Sequence, residues 1–135
     1  MEYTETVRDH AMNPRNVGFI DGFDGRGECG DPSCGDLAVM TIRVCDGFLV
    51  DVKFLVQGCG AAIATCSIAT ELATGRTLEQ AAQLSDEDVA QALGGLPEPK
   101  MHCSNLAATA LHRAIDDYWQ RRKTDLHDWR ALYHR

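Results

Sequence analysis

The sequence lacks long apolar runs, an excess of positive charge and closely paired cysteine motifs. No apolar stretch approaches the length that a membrane-spanning helix requires, so we expect no insertion into a membrane. The 13 Lys and Arg residues are outnumbered by 20 Asp and Glu residues, and the net charge of −7 argues against nucleic-acid binding. The acidic N-terminus lacks the features of a secretory signal, which favours a cytoplasmic protein.

What is present is the composition of an ordinary globular chain, with 44% hydrophobic and 24% charged residues. A chain of 135 residues without repeats or a linker predicts one domain that covers residues 1–135. Its six cysteines, in a chain without an export signal, are expected to be reduced and to serve as ligands or reactive thiols.

Periodic patterns predict most of the secondary structure. Apolar residues alternate over 38–44 and 50–56 around Asp46-Gly47, which predicts a β-hairpin. A loop rich in Gly and Asp is expected over residues 18–35, and the two prolines of 96–100 argue against a helix there. Helices are expected over 7–12, 61–73, 77–84 and 85–95, and a long C-terminal helix is expected just after Cys103.

Three cysteines lie at predicted boundaries between elements. Cys34 precedes the first strand, Cys59 follows the second, and Cys103 lies where the last helix starts. Asp36 and His102 lie beside them, so thiolate, carboxylate and imidazole ligands are all available for a metal. A position near a helix N-terminus would also favour the thiolate form of Cys59 and Cys103.

The residues alone leave the kind of site open. The spacing matches no CxxC module, so a mononuclear zinc or iron site fits about as well as a cluster. Gly58 and Gly60 leave space beside Cys59 for a bulky group. A thiol redox pair of Cys29 and Cys34 lacks the usual geometry, and the sequence shows no positioned base for a metal hydrolase.

Several motifs stand out along the chain, namely Asp9-His10, Asn13-Pro14-Arg15-Asn16-Val17-Gly18, Cys34-Gly35-Asp36, Gly58-Cys59-Gly60 and Lys100-Met101-His102-Cys103-Ser104. Together they resemble the IscU/NifU N-terminal scaffold family, and the resemblance extends from about Tyr3 to Tyr118. The resemblance implies an α/β fold of the α+β type. In this fold a small antiparallel sheet packs against helices, and the C-terminal helix is long. The segment 96–100 departs from the family's chaperone motif, Leu-Pro-Pro-Val-Lys.

The resemblance also implies a function and a set of site residues. A [2Fe-2S] cluster would form from iron and persulfide sulfur on Cys34, Cys59 and Cys103, with His102 or Asp36 as fourth ligand. Cys103 would accept the persulfide and Lys100, in the same motif, would assist. The alternative is a zinc-binding sulfur carrier similar to SufU.

Partners are implied in the same way. A cysteine desulfurase of the IscS/NifS type would supply sulfur, a ferredoxin would supply electrons, and acceptor apo-proteins would receive the cluster. Frataxin and an Hsp70-type chaperone are further candidates, as is a homodimer around the cluster. The resembling proteins are scaffolds and not enzymes.

Overall fold

The chain forms three strands, five α-helices and one 3₁₀ turn within residues 2–31 and 35–133, which are the residues that the computed structural model describes. The side chains at 31 and 125–133 fall outside that description. In chain order the elements are α1 Glu5–Met12, β1 Gly25–Asp31, β2 Asp36–Cys45, β3 Phe48–Gln57, α2 Gly60–Ala73, α3 Leu78–Ala82, α4 Asp86–Ala92, the 3₁₀ turn Glu98–Lys100 and α5 Met101–Tyr133.

The strands form one antiparallel sheet in the order β1, β2, β3. The β2–β3 hairpin turns at Asp46 and Gly47, whose φ angles of 53° and 80° are the left-handed values that a type I′ turn requires. Buried Met40 pairs with buried Phe54 on the inner face, which packs against the helices. The predicted hairpin is therefore confirmed, as is the predicted class of fold.

Strand β1 corrects the expectation of a loop over residues 18–35. It pairs with β2 from Gly25 to Asp31, although its sequence shows no alternation of apolar and polar residues. The reason is that its backbone lies directly on α5. A Cβ atom on Gly25 would come within 2.3 Å of the Ala114 carbonyl oxygen, and one on Gly27 within 2.3 Å of the Ala110 carbonyl oxygen. The glycines that suggested a loop are therefore what allows this contact.

Polar side chains of α5 hold β1 in place. The Asp117 carboxylate accepts a hydrogen bond of 2.8 Å from the Arg26 backbone N–H, and it also pairs with Arg121. Arg113 donates to the Glu28 carbonyl oxygen at 2.8 Å. These bonds give partners to backbone groups of β1 on the side that faces the helix.

The N-terminal motif around Asp9-His10 fastens α1 to α2. Ser67 lies 2.7 Å from His10 Nδ1 and accepts a hydrogen bond from the Arg15 backbone N–H. His10 Nε2 lies 3.3 Å from the Glu71 carboxylate, and Arg15 pairs with Asp9 at 2.6 Å. These contacts join α1 to α2, and none of these side chains lines the pocket described below.

The helices α2, α3 and α4 agree with the predictions, and α4 begins with the predicted capping box of Ser85 and Asp88. Two details differ. One 3₁₀ turn forms over Glu98–Lys100, because Pro97 and Pro99 fit the start of a helix, and α5 then begins at Met101. Cys103 therefore lies within the first turn of α5 and not ahead of it. The helix then continues to Tyr133.

The core lies between the inner face of the sheet and the helices α2 and α5. Alanines dominate the helical side, which lets the two helices approach the sheet closely. No helix in the described part of the chain is both long and apolar enough to span a bilayer. The core includes Ala38, Met40, Ile42, Val52, Phe54, Ala62, Cys66, Ala69, Ala107, Ala110, Leu111 and Ala114.

Candidate metal centre

Three element boundaries meet at one end of the sheet. Asp36 begins β2, Cys59 is the N-cap of α2, and Cys103 lies in the first turn of α5. One ligand atom from each of these side chains lies within 4.8 Å of the other two. The structure thus brings together three of the predicted ligands. Cys34, the predicted third thiol, lies outside the described residues.

The Asp36 carboxylate is buried beside Gly58. Its residue is only 8% exposed. A Cβ atom on Gly58 would lie 2.6 Å from Asp36 Oδ1 and 3.0 Å from the Ala62 Cβ atom. Gly58 therefore leaves the space that Asp36 occupies, whereas a Cβ on Gly60 would only touch Ala11 at 3.7 Å. Both glycines lie next to Cys59 in the sequence, so their different roles could not be predicted from it.

The environment of Cys59 favours its thiolate. Burial opposes ionisation, but the backbone N–H groups of Ala62 and Ala61, the charge of Lys100 and a hydrogen bond with Cys103 outweigh it and lower the pKa of Cys59. Lys100 Nζ lies 3.7 Å from Cys59 Sγ. In turn Cys59, and then Tyr3, raise the pKa of Lys100. The predicted lysine thus lies at the site.

Cys103 has the opposite character. It is 0% exposed, and burial together with the neighbouring charge of Cys59 raises its pKa to about 12. The Cys103 thiol donates a hydrogen bond to Cys59 Sγ, and this bond lowers the pKa of Cys59 and raises that of Cys103. Iron or zinc would favour the thiolate form of both, since bound thiols lose their protons.

His102 links the thiols to the carboxylate. Its Nε2 atom lies 3.6 Å from Cys103 Sγ and 3.8 Å from Asp36 Oδ2. Either His102 or Asp36 is therefore within reach of a metal held by the cysteines.

Gln57, which the sequence analysis missed, also lines the site, and its position just before Gly58-Cys59 was the only signal for it. The open pocket of about 350 Å³ is lined by Gly35, Asp36, Gln57, Gly58, Cys59, Lys100 and His102.

The remaining described cysteines differ in their surroundings, although all are free thiols. Cys45 is exposed beside the hairpin turn, at the opposite end of β2 from Asp36. Cys66 is buried in α2, and burial raises the pKa of its thiol. Cys29 is partly buried on β1 and packs against the core.

Comparison with known proteins identifies relatives along almost the whole chain. The model of a family described as "NifU-like N terminal domain" matches residues 2–125. The iron-sulfur cluster assembly scaffold protein IscU 1 of Archaeoglobus fulgidus is 56% identical over 119 residues, which cover 88% of this chain and 78% of that protein. IscU of Azotobacter vinelandii is 46% identical over 122 residues, covering 87% and 94% of the two chains.

Solved structures agree on the fold. A nitrogen-fixing NifU-like protein (N-terminal) from Brucella abortus superposes with a TM-score of 0.68 at 17% identity, covering 87% of this chain and 94% of that one. At that identity the likeness supports the fold only.

Proposed function

Because this chain belongs to the NifU-like N-terminal domain family, we propose that it is a scaffold on which an iron-sulfur cluster is assembled before transfer to acceptor proteins. The observation that carries the proposal is the meeting of Asp36, Cys59 and Cys103 within 4.8 Å at an open pocket. Two sulfurs and a carboxylate oxygen form a donor set that suits iron. Cys34 completes the set by its place in the family motif.

Iron binds first on the side of the site formed by Cys59 and Asp36. The pKa of Cys59 is lowered whereas that of Cys103 is raised, so Cys59 gives up its proton to a metal more readily, and Asp36 and His102 lie beside it. The charge of Lys100, whose Nζ lies 3.7 Å from Cys59 Sγ, contributes to the lowered pKa of Cys59. Asp36 or His102 then occupies the fourth position, and either one is exchanged more easily than a thiolate.

Sulfur arrives at Cys103. The Cys103 sulfur attacks the outer sulfur of a persulfide on a cysteine desulfurase, so that Cys103 gains the S–SH group and the desulfurase cysteine regains its thiol. Because Cys103 is 0% exposed, its sulfur has to become accessible before this exchange. Two electrons from a ferredoxin then cleave the S–S bond and release hydrosulfide for the cluster, which is a [2Fe-2S] cluster in this proposal.

The chain thus acts as a carrier and not as an enzyme, since each chemical step draws its reactant from a partner. The partners are the desulfurase, the ferredoxin and the acceptor apo-proteins in the cytoplasm. Frataxin, an Hsp70-type chaperone and a second copy of the chain around the cluster are further proposed partners. One domain over residues 1–135 suffices for this role.

Anaerobic reconstitution tests the function. Apo-protein is incubated with ferrous iron, cysteine and a cysteine desulfurase, and absorption and Mössbauer spectra are recorded. We expect a [2Fe-2S] signature that is lost in Cys34→Ser, Cys59→Ser and Cys103→Ser. Cys45→Ser is the matched control, because this thiol is exposed at the other end of β2. A cluster that survives all three site substitutions would contradict the proposal.

The same donor atoms also suit zinc, so a zinc-binding sulfur carrier is the second candidate. It predicts one tightly bound zinc and a persulfide on Cys103, with no cluster signature after reconstitution. Metal analysis of the same samples distinguishes the two functions.

A further inference from the structure

Cys29 is a thiol that the proposed assembly chemistry does not use. It lies on β1 opposite Ala38 of β2, and Ala38 is 0% exposed on the inner face of the sheet. Directly opposed residues in a sheet point to the same face, so the Cys29 side chain also points inward. It is partly buried there and packs against the core cluster that contains Cys103.

The register places Cys29 diagonally across from Asp36. Asp36 precedes Ala38 by two residues and therefore points to the same face. Diagonal neighbours in an antiparallel pair lie about 7–8 Å apart on the same face of the sheet. Since the Asp36 carboxylate lies within 4.8 Å of the Cys59 and Cys103 sulfurs, Cys29 borders the site on the β1 side.

The packing of β1 on α5 supports the same position. Gly25 lies on Ala114 and Gly27 on Ala110, so two residues along β1 correspond to four residues along α5 in the opposite direction. This agrees with the rise of about 3.3 Å per strand residue and about 1.5 Å per helix residue. If this spacing continues by two more strand residues, Cys29 lies level with residue 106 of α5, about one helical turn from Cys103.

A buried thiol nearby is influenced by the same groups. The pKa of Cys66 is raised by burial first, and then by Cys103, Asp36 and Cys29. Cys29 and Cys103 therefore share one neighbourhood of the interior. Cys66 itself is 0% exposed within α2, which makes it a poorer partner for exchange than the partly exposed Cys29.

We propose that Cys29 is a second sulfur-holding thiol of this site, which receives one sulfane sulfur from the persulfide on Cys103. This inference rests on the proposed scaffold function. A [2Fe-2S] cluster contains two sulfides, whereas one cysteine persulfide carries one transferable sulfur. Passing the first sulfur to Cys29 frees Cys103 to accept a second before reduction begins.

The exchange balances without an oxidant or a reductant. The Cys29 thiolate attacks the outer sulfur of the Cys103 persulfide, a bond forms between Cys29 Sγ and that sulfur, and the Cys103 S–S bond breaks. Cys103 leaves as a thiolate and takes up the proton that Cys29 released. The number of S–S bonds is the same before and after the exchange.

The test counts and locates sulfur on apo-protein given cysteine and a cysteine desulfurase, without iron and without a reductant. Intact mass spectrometry counts the added sulfur atoms, and alkylation followed by peptide mapping locates them. The variants are Cys29→Ser, Cys29→Ala and Cys103→Ser, with Cys45→Ser as the control for an exposed thiol away from the site. Circular dichroism checks that each variant is folded.

We expect sulfur on Cys103 and Cys29 in the wild type and in Cys45→Ser. In both Cys29 variants the total should fall by one sulfur atom while Cys103 stays loaded, and in Cys103→Ser no sulfur should reach Cys29. The proposal is overturned if Cys29 stays bare beside a loaded Cys103, if Cys29 is loaded in Cys103→Ser, or if Cys45 is loaded as heavily as Cys29. A wild type that gains no sulfur on Cys103 overturns both this proposal and the proposed sulfur-accepting step.

Discussion

Gly58 is the neighbour that fixes the space for Asp36, because a Cβ atom at position 58 would lie 2.6 Å from Asp36 Oδ1. The carboxylate is 8% exposed and lies within 4.8 Å of both cysteine sulfurs of the site. The position of this carboxylate, a proposed metal ligand, thus depends on the absence of a side chain at Gly58, one residue before Cys59.

Gly58→Ala should therefore weaken metal binding by displacing Asp36. Substitutions that disturb the support of a metal ligand typically cost about 10–100-fold in affinity, and we expect a loss in that range for ferrous iron or zinc. Titration of anaerobic apo-protein with either metal measures it. Gly60→Ala is the matched control, since its Cβ would meet only Ala11 at 3.7 Å. Equal affinities for the two variants would show that Gly58 has no special role.

Gly27→Ala should destabilise the fold. The added Cβ would lie 2.3 Å from the Ala110 carbonyl oxygen and from the Ala114 backbone nitrogen, so β1 and α5 would have to separate. Overpacking of this kind typically costs about 1–3 kcal/mol, and a backbone contact places this case at the upper end. Urea unfolding measures the free energy.

Gly30→Ala on the same strand is the control for Gly27. Its Cβ would meet the flexible Leu37 side chain at 3.3 Å, so its effect should be much smaller. A Gly27→Ala protein as stable as Gly30→Ala would contradict the close packing of β1 on α5.

The regular alternation of the hairpin and the capping box at Ser85 could be predicted from the sequence because both are local patterns. Strand β1 could not, since Gly25 and Gly27 favour a strand only where a helix backbone lies against them. Nothing near His10 in sequence indicated its partner Ser67, which lies 57 residues away. Such long-range contacts leave no periodic signal.

The candidate site shows the same division. The boundary between β3 and α2 predicted the position of Cys59, and the motif around His102 and Cys103 predicted a second group of ligands. The different ionisation of the two cysteines could not be predicted, because it depends on burial of Cys103 and on Lys100 lying 3.7 Å from Cys59.

Acidification should destabilise the protein through His10. Burial, and then the charge of Arg15, lower the pKa of His10 below 6.5, although Glu71 and Asp9 act in the opposite direction. The unfolded chain therefore binds a proton more readily than the folded one. This contribution to stability is fully present above about pH 6.5 and is lost as the pH falls from there through the folded pKa, with a slope of at most about 1.4 kcal/mol per pH unit.

Urea unfolding between pH 8 and pH 5 tests this dependence. In His10→Gln the free energy of unfolding should be lower at pH 8, because the contact with Ser67 is altered, and its decline below about pH 6.5 should be shallower than in the wild type. Parallel curves for the two proteins would exclude His10 as the source of the pH dependence.

Removal of the Lys100 charge should make Cys59 less reactive near neutral pH. Burial raises the pKa of Cys59, and Lys100 at 3.7 Å is one of the groups that bring it below its ordinary value. In Lys100→Gln the pKa of Cys59 should therefore rise, and alkylation of Cys59 by iodoacetamide should shift to higher pH, because the thiolate is the reacting form. In the wild type Cys59 should react at lower pH than Cys103, whose pKa is about 12. Peptide mapping measures both rates, with exposed Lys123→Gln as the control, and an unchanged Cys59 profile in Lys100→Gln would show that the helix N–H groups suffice to ionise this thiol.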